Sequence, residues 1–218
     1  MYRFIIAILI IAIPAISDAQ MNRAQTWEWS IAALYQDSKN MGSDQGSSLR
    51  VDGAGGLGFN ISYNFTNKFM VGVDLDWLRP DYRAELVNDE VFPIETTVID
   101  HEFSQFNGRI KGTFNFSEGP FTPFVEGGFG WSYFDSNVAD GPPITGCWWH
   151  PYWGYICENF YSTFTETSFS YGAGLGLRYQ MRGGTFIKGS YNVWDLDSLG
   201  SASDSTLTGI KLEFGWSF

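Results

Sequence analysis

Long apolar runs are nearly absent from this 218-residue chain. The one candidate, Phe4 to Ile13, falls short of the roughly 20 residues a membrane helix needs, and Pro14 interrupts it. A helical membrane protein is thereby excluded. Basic residues are scarce as well: 13 Lys and Arg stand against 24 Asp and Glu, for a net charge of −11. Phosphate neutralisation needs clustered Lys and Arg, so nucleic acid is not an expected partner. With only 2 Cys and 2 His, neither a multi-disulfide scaffold nor a zinc-ligand spacing can be drawn. No glycine-rich phosphate loop occurs, so no cofactor and no metal are expected.

Aromatics and glycine are abundant instead. Phe, Trp and Tyr make up 18% of the chain and Gly occurs 25 times, yet mean hydropathy is only −0.12. That mixture suits a protein that is apolar outside, polar inside and ringed by aromatic side chains. The first residues read as an export signal. Arg3 supplies the positive start, Phe4 to Ile13 the apolar run, and Ser17 and Ala19 the small residues before a cleavage site. The predicted division is a signal peptide over 1–19 and one mature domain over 20–218.

Eight segments alternate with period two: about 26–37, 53–65, 69–81, 101–116, 121–135, 163–181, 185–197 and 205–218. In the second, Leu57, Phe59, Ile61, Tyr63 and Phe65 share one face, opposite Gly56, Gly58, Asn60, Ser62 and Asn64. The seventh is the least regular, because Phe186 and Trp194 fall on the face that carries Lys188. The last runs unbroken from Ile210 to Phe218 and ends the chain on an aromatic residue. Each segment can cross a bilayer when tilted, which takes about 9–11 residues. Lipid cannot satisfy an open sheet edge, so strands in a membrane must close on themselves.

Connection lengths alternate. The turns at 66–68, 117–120 and 182–184 are short; the connections 38–52, 82–100, 136–162 and 198–204 are mostly much longer. Charge follows the same map. Inward positions carry five acids (Glu28, Asp74, Asp76, Glu126, Glu213) and five bases (Arg109, Lys111, Arg178, Lys188, Lys211). The long-connection end holds seventeen acids against four bases. The short-turn end, with Arg23, Lys68 and Arg182 against Glu118, is slightly positive. No charge falls on the lipid face, where Arg or Lys costs about 2–4 kcal/mol at mid-depth.

The eight-strand pattern, the runs Phe124 to Tyr133 and Ser170 to Tyr179, and the terminal Phe218 resemble the small outer-membrane β-barrels of Gram-negative bacteria, namely the OmpA transmembrane domain and the opacity-type surface proteins. The resemblance implies an all-β, eight-stranded antiparallel up-and-down transmembrane barrel in the outer membrane, with both ends in the periplasm. It also implies that Trp216 and Phe218 form the assembly signal read by the outer-membrane assembly machinery. The peptidoglycan-binding domain of full-length OmpA-type proteins has no counterpart here, so a cell-wall tether is not implied.

Three constellations could carry function. The ten inward charges form either an ion path or a salt-bridged plug. An eight-stranded lumen is only wide enough for side chains, and the balanced charge favours the plug. Cys147 and Cys157, in one exported loop, are expected to form a disulfide; a metal site with His150 and Glu158 is the minor alternative. Between them, Trp148, Trp149, Tyr152, Trp153 and Tyr155 make either a contact surface for an extracellular glycan or protein, or a girdle resting on lipid headgroups. Catalysis finds little support: His101 and Ser104, offset by three, point to opposite faces of a strand. The expected role is therefore non-enzymatic and structural or surface-interacting. A narrow or gated small-solute channel is the alternative, and a lipid-modifying enzyme a remote one.

Overall fold

The computed structural model describes residues 22–42, 48–88, 95–197 and 205–218. The predicted signal peptide lies outside these residues. Fourteen strands follow in order: β1 (Trp27–Gln36), β2 (Lys39–Gly42), β3 (Ser48–Val51), β4 (Ala54–Asn64), β5 (Phe69–Leu78), β6 (Asp81–Asn88), β7 (Glu95–Glu102), β8 (Ser104–Asn115), β9 (Phe121–Ala139), β10 (Ile144–His150), β11 (Gly154–Phe160), β12 (Thr163–Gln180), β13 (Thr185–Leu196) and β14 (Ser205–Ser217). Eight of them form a closed antiparallel barrel in the order β1-β14-β13-β12-β9-β8-β5-β4, and β4 pairs back to β1. Apart from the closing pair β1–β14, barrel neighbours are thus consecutive barrel strands, the up-and-down arrangement expected from the sequence.

Alternation sets the two faces. Leu57 is 72% exposed on the outside of β4, while Asn60 is 2% exposed inside it. Outward-facing Ile31, Val73, Phe129, Leu175, Ile210 and Leu212 follow the same rule on other strands. Buried polar side chains greatly outnumber buried apolar ones. The only apolar cluster within the described residues, Phe134, Leu196 and Leu207 with Phe103 against it, lies near the long-connection mouth.

The connections are more structured than the sequence suggested. The stretches 38–52 and 82–100 supply β2, β3, β6 and β7, which form a separate four-stranded sheet. His101 consequently belongs to β7, outside the barrel, and not to the fourth barrel strand. Asp81 likewise begins β6 and does not end the third. The connection 136–162 contains the end of β9 and the β10–β11 hairpin, a sheet of its own. Hydrophobic alternation finds strands half-buried against lipid or core. The β10–β11 hairpin is largely exposed on both faces, whereas in β3 and β6 the half-buried or buried Leu49, Val51, Tyr82 and Ala84 alternate with exposed Arg50, Arg83 and Glu85.

The irregular seventh segment has a physical explanation. Phe186 and Trp194 on β13 point into the lumen and are buried. Room exists because facing positions are glycine: a Cβ at Gly215 would strike the Phe186 ring, and one at Gly172 the Trp194 ring. The turn after β12 likewise needs glycine, since Gly183 and Gly184 have φ of 97° and 86°.

Candidate functional site

All ten inward charges are buried inside the barrel. Near the short-turn end, the Arg178 guanidinium donates to both Glu28 carboxylate oxygens at 2.7 and 2.8 Å. Lys188 stands 3.7 Å from Glu28 and 3.9 Å from Glu213, which also accepts from the Ser30 hydroxyl at 2.8 Å. A second group holds the remaining six. Lys111 pairs with Asp74 at 2.6 Å and Glu126 at 3.0 Å. Lys211 pairs with Asp76 at 2.8 Å and Asp74 at 3.1 Å, and Arg109 with Asp76 at 3.4 Å. Backbone register sets Asp74 opposite Arg109 and Gly72 opposite Lys111. Asp74 therefore reaches Lys111 diagonally, along the second-neighbour direction that twisted strands favour.

Two lumen aromatics complete this packing. The Arg109 guanidinium sits 4.2 Å over the Trp194 ring, and that of Arg178 sits 4.4 Å over Phe186. Each cation thus has carboxylates on one side and a ring face on another, which offsets its desolvation. The space left between Asp74, Asp76, Lys111, Lys211 and Asn192 is ≈ 50 Å³, room for a few water molecules.

Arg23 was counted from sequence only as a charge of the short-turn end. It is fully buried. Its side chain donates to Gln180 Oε1 at 2.6 Å, to the Gly119 carbonyl at 2.7 Å and to Thr122 Oγ1 at 3.0 Å. Its backbone N–H and that of Ala24 both donate to Asn67 Oδ1 at 2.9 Å. Arg23, ahead of β1, thereby ties two short turns, at Asn67 and Gly119, to the end of β12. Burial first, then the nearby Arg178, lower its pKa to about 10, so it stays charged near neutrality. Gln180 accepts from Arg178 as well, at 3.1 Å, linking this closure to the lumen network. No periodicity marks Arg23, because it precedes the first strand.

At the opposite mouth lies a cavity of ≈ 400 Å³ between the barrel rim and the four-stranded sheet, lined by residues including Val51, Tyr82, Phe103, Phe134 and Leu207. Burial raises the Tyr82 hydroxyl pKa above its ordinary value. Gln36 and Gln105, hydrogen-bonded at 3.3 Å, belong to the same lining.

The β10–β11 hairpin pairs with no barrel strand. Cys147 and Cys157 stand directly opposite one another and are joined by a disulfide. Register places Trp148 and Ile156 on one face, and Trp149, Tyr155 and the disulfide on the other. Trp149, Tyr152, Trp153 and Tyr155 are 70–87% exposed, while Trp148 rests partly on Phe160, ring centroids 5.8 Å apart. His150 stacks on Trp153 at 4.5 Å, and its Nδ1 accepts the Tyr152 N–H at 3.2 Å. No metal-ligating group forms among the described residues.

At the barrel seam, Trp216 lies opposite Trp29 and their rings stack at 4.6 Å. Phe218 and Trp27 exchange backbone N–H···O bonds of 2.9 and 3.0 Å, so the last residue completes the closing ladder. His101, with Nδ1 2.9 Å from the Glu102 carbonyl oxygen, and Ser104 lie on different strands.

The sequence matches the family described as outer membrane protein beta-barrel domain over residues 5–218. No curated protein matches it. Among solved structures, OprG of Pseudomonas aeruginosa superposes with a TM-score of 0.60 at 13% identity, over 92% of this chain and 99% of its own. Neisserial surface protein A gives 0.56 at 12% identity, over 88% and 97%. At such identities the likeness establishes the fold alone.

Proposed function

Since this chain belongs to the outer-membrane β-barrel domain family, we propose that it is a non-enzymatic surface protein whose barrel holds an aromatic hairpin outside the cell. The chain is located in the outer membrane, its strands immersed in the lipid. On our reading the signal is removed before Gln20, the short turns and both ends face the periplasm, and the long connections face outward. Trp216 and Phe218 serve the assembly machinery as the terminal strand is inserted.

The observation that carries this reading is the contrast between a lumen filled by paired charges and a disulfide-closed hairpin whose aromatics are exposed. Side chains packed and paired across a lumen support a plug over an ion path. Exposed aromatics on an isolated hairpin support contact with something outside, a glycan or a protein among the partners. The ≈ 400 Å³ mouth cavity favours a second reading, a gated passage for small solutes, in which the network would have to rearrange.

Epitope tags inserted near Gly46, Asp89, Pro142 or Ser201 should be reached by antibody on intact cells. Tags near Asn67 or Gly183 should not. Labelling at Asn67 would reverse the orientation. Trp148→Ala and Trp153→Ala should then weaken binding of expressing cells to surfaces, and unchanged binding would remove the hairpin from the role.

A further inference from the structure

We infer that the outer hairpin docks into the interface of an apposed, zwitterionic phospholipid bilayer. This rests on the surface-contact reading and names the partner.

Three observations point to lipid. First, the aromatics occupy both faces and the tip, with Trp148 on one side, Trp149 and Tyr155 on the other, and Tyr152 and Trp153 at the turn. A flat protein or sugar surface can cover one face only, whereas a bilayer interface surrounds an inserted tip. Trp and Tyr are also the side chains that settle at headgroup depth. Second, no Asp, Glu, Lys or Arg occurs from Gly141 to Cys157, and the first charges on either side are Asp140 and Glu158. The tip can leave water without desolvating a fixed charge, and the acids at its foot limit insertion. Third, the disulfide and the Thr145–Asn159 side-chain bond of 2.8 Å fix the hairpin before contact, so little ordering entropy is lost on docking.

The same features set depth and lipid preference. Both outer edges of a two-stranded hairpin present unpaired backbone groups, which the hydrocarbon core does not accept. The tip therefore rests among headgroups. Seventeen acids against four bases at this end repel anionic lipid. The bilayer is an opposing one because β9 has 19 residues, where about 9–11 cross a membrane. Those extra residues carry the hairpin's foot beyond the apolar band.

The test uses the whole protein in nanodiscs, mixed with phosphatidylcholine vesicles. Brominated acyl chains are placed either in the vesicles or in the nanodisc. Hairpin fluorescence is taken as the difference between wild type and a Trp148→Phe, Trp149→Phe, Trp153→Phe variant. The expected result is co-flotation with the vesicles and hairpin quenching by vesicle bromine. Trp149→Ala with Trp153→Ala should weaken vesicle affinity by about tenfold or more. Vesicles rich in anionic lipid should bind less well at low salt. Hairpin quenching by nanodisc bromine alone would overturn the proposal, leaving a girdle on the protein's own membrane. Failure to co-float would also overturn it. If hairpin variants still weakened cell-surface binding in that case, the surface-contact reading would survive with a glycan or protein partner. If they did not, both would fall.

Discussion

In the lumen, Arg178 and Glu28 meet across 150 positions of sequence; in the outer hairpin, Cys147 and Cys157 are joined across 10. Neither region has a conventional apolar core, and each fixes its side chains by a different means. The lumen uses contacts between different strands, and pairs such as Arg178–Glu28 and Lys211–Asp76 join strands that are not neighbours, so they form only once the barrel has closed. The hairpin uses one covalent link and its own backbone ladder, independent of the barrel. Damage to the first should therefore be global, and damage to the second local.

The largest effect should follow from breaking a buried pair. Glu28→Ala leaves Arg178 and Lys188 without their nearest carboxylate in a buried site, at a cost of about 3–5 kcal/mol. The folded, faster-migrating form on unheated gels should then be lost at lower urea than in wild type. An unshifted urea midpoint would show that water reaches the lumen freely. Next, Cys147→Ser with Cys157→Ser removes about 2–3 kcal/mol of constraint on the hairpin alone. Hydrogen exchange should rise in β10 and β11 while the barrel's urea midpoint stays put; a shifted midpoint would tie the two regions together. Arg23→Ala comes third, at about 1.5–3 kcal/mol for its charged hydrogen bonds, with exchange increasing at Gly119 and Gln180. Deleting Phe218 removes two seam hydrogen bonds, worth about 1–3 kcal/mol together, and should slow membrane insertion measured by protease protection. Arg50→Ala should change almost nothing, because its pair with Asp52 is exposed.

The same contrast explains what could be read from the sequence. Strands that cross lipid must be apolar on alternate positions, so Leu57 to Phe65 and Ile210 to Phe218 announce themselves, and inward residues follow by parity. Parity alone places Asp74, Lys111 and Glu126 on the inward face. What parity cannot give is which diagonal neighbour a long side chain reaches, since twist decides that. Nor does it reveal Arg23, whose role depends on two turns and the end of β12 meeting at one end of a closed barrel. The four-stranded outer sheet was invisible for another reason. β2 and β3 have only 4 residues each, and Val51 and Tyr82 face the mouth cavity and not lipid. Phe186 and Trp194 looked like defects in β13 until the facing glycines showed where the rings fit.

The central claim is that the barrel is an anchor with a packed lumen and not a constitutive pore. Planar-bilayer recording of the purified, refolded protein tests it most directly. Paired charges across an eight-stranded lumen should give no stable open level at moderate voltage, with conductance emerging in Glu28→Ala or Asp76→Ala. Steady, long-lived conductance by the wild-type protein would contradict the account and make the gated channel the better reading.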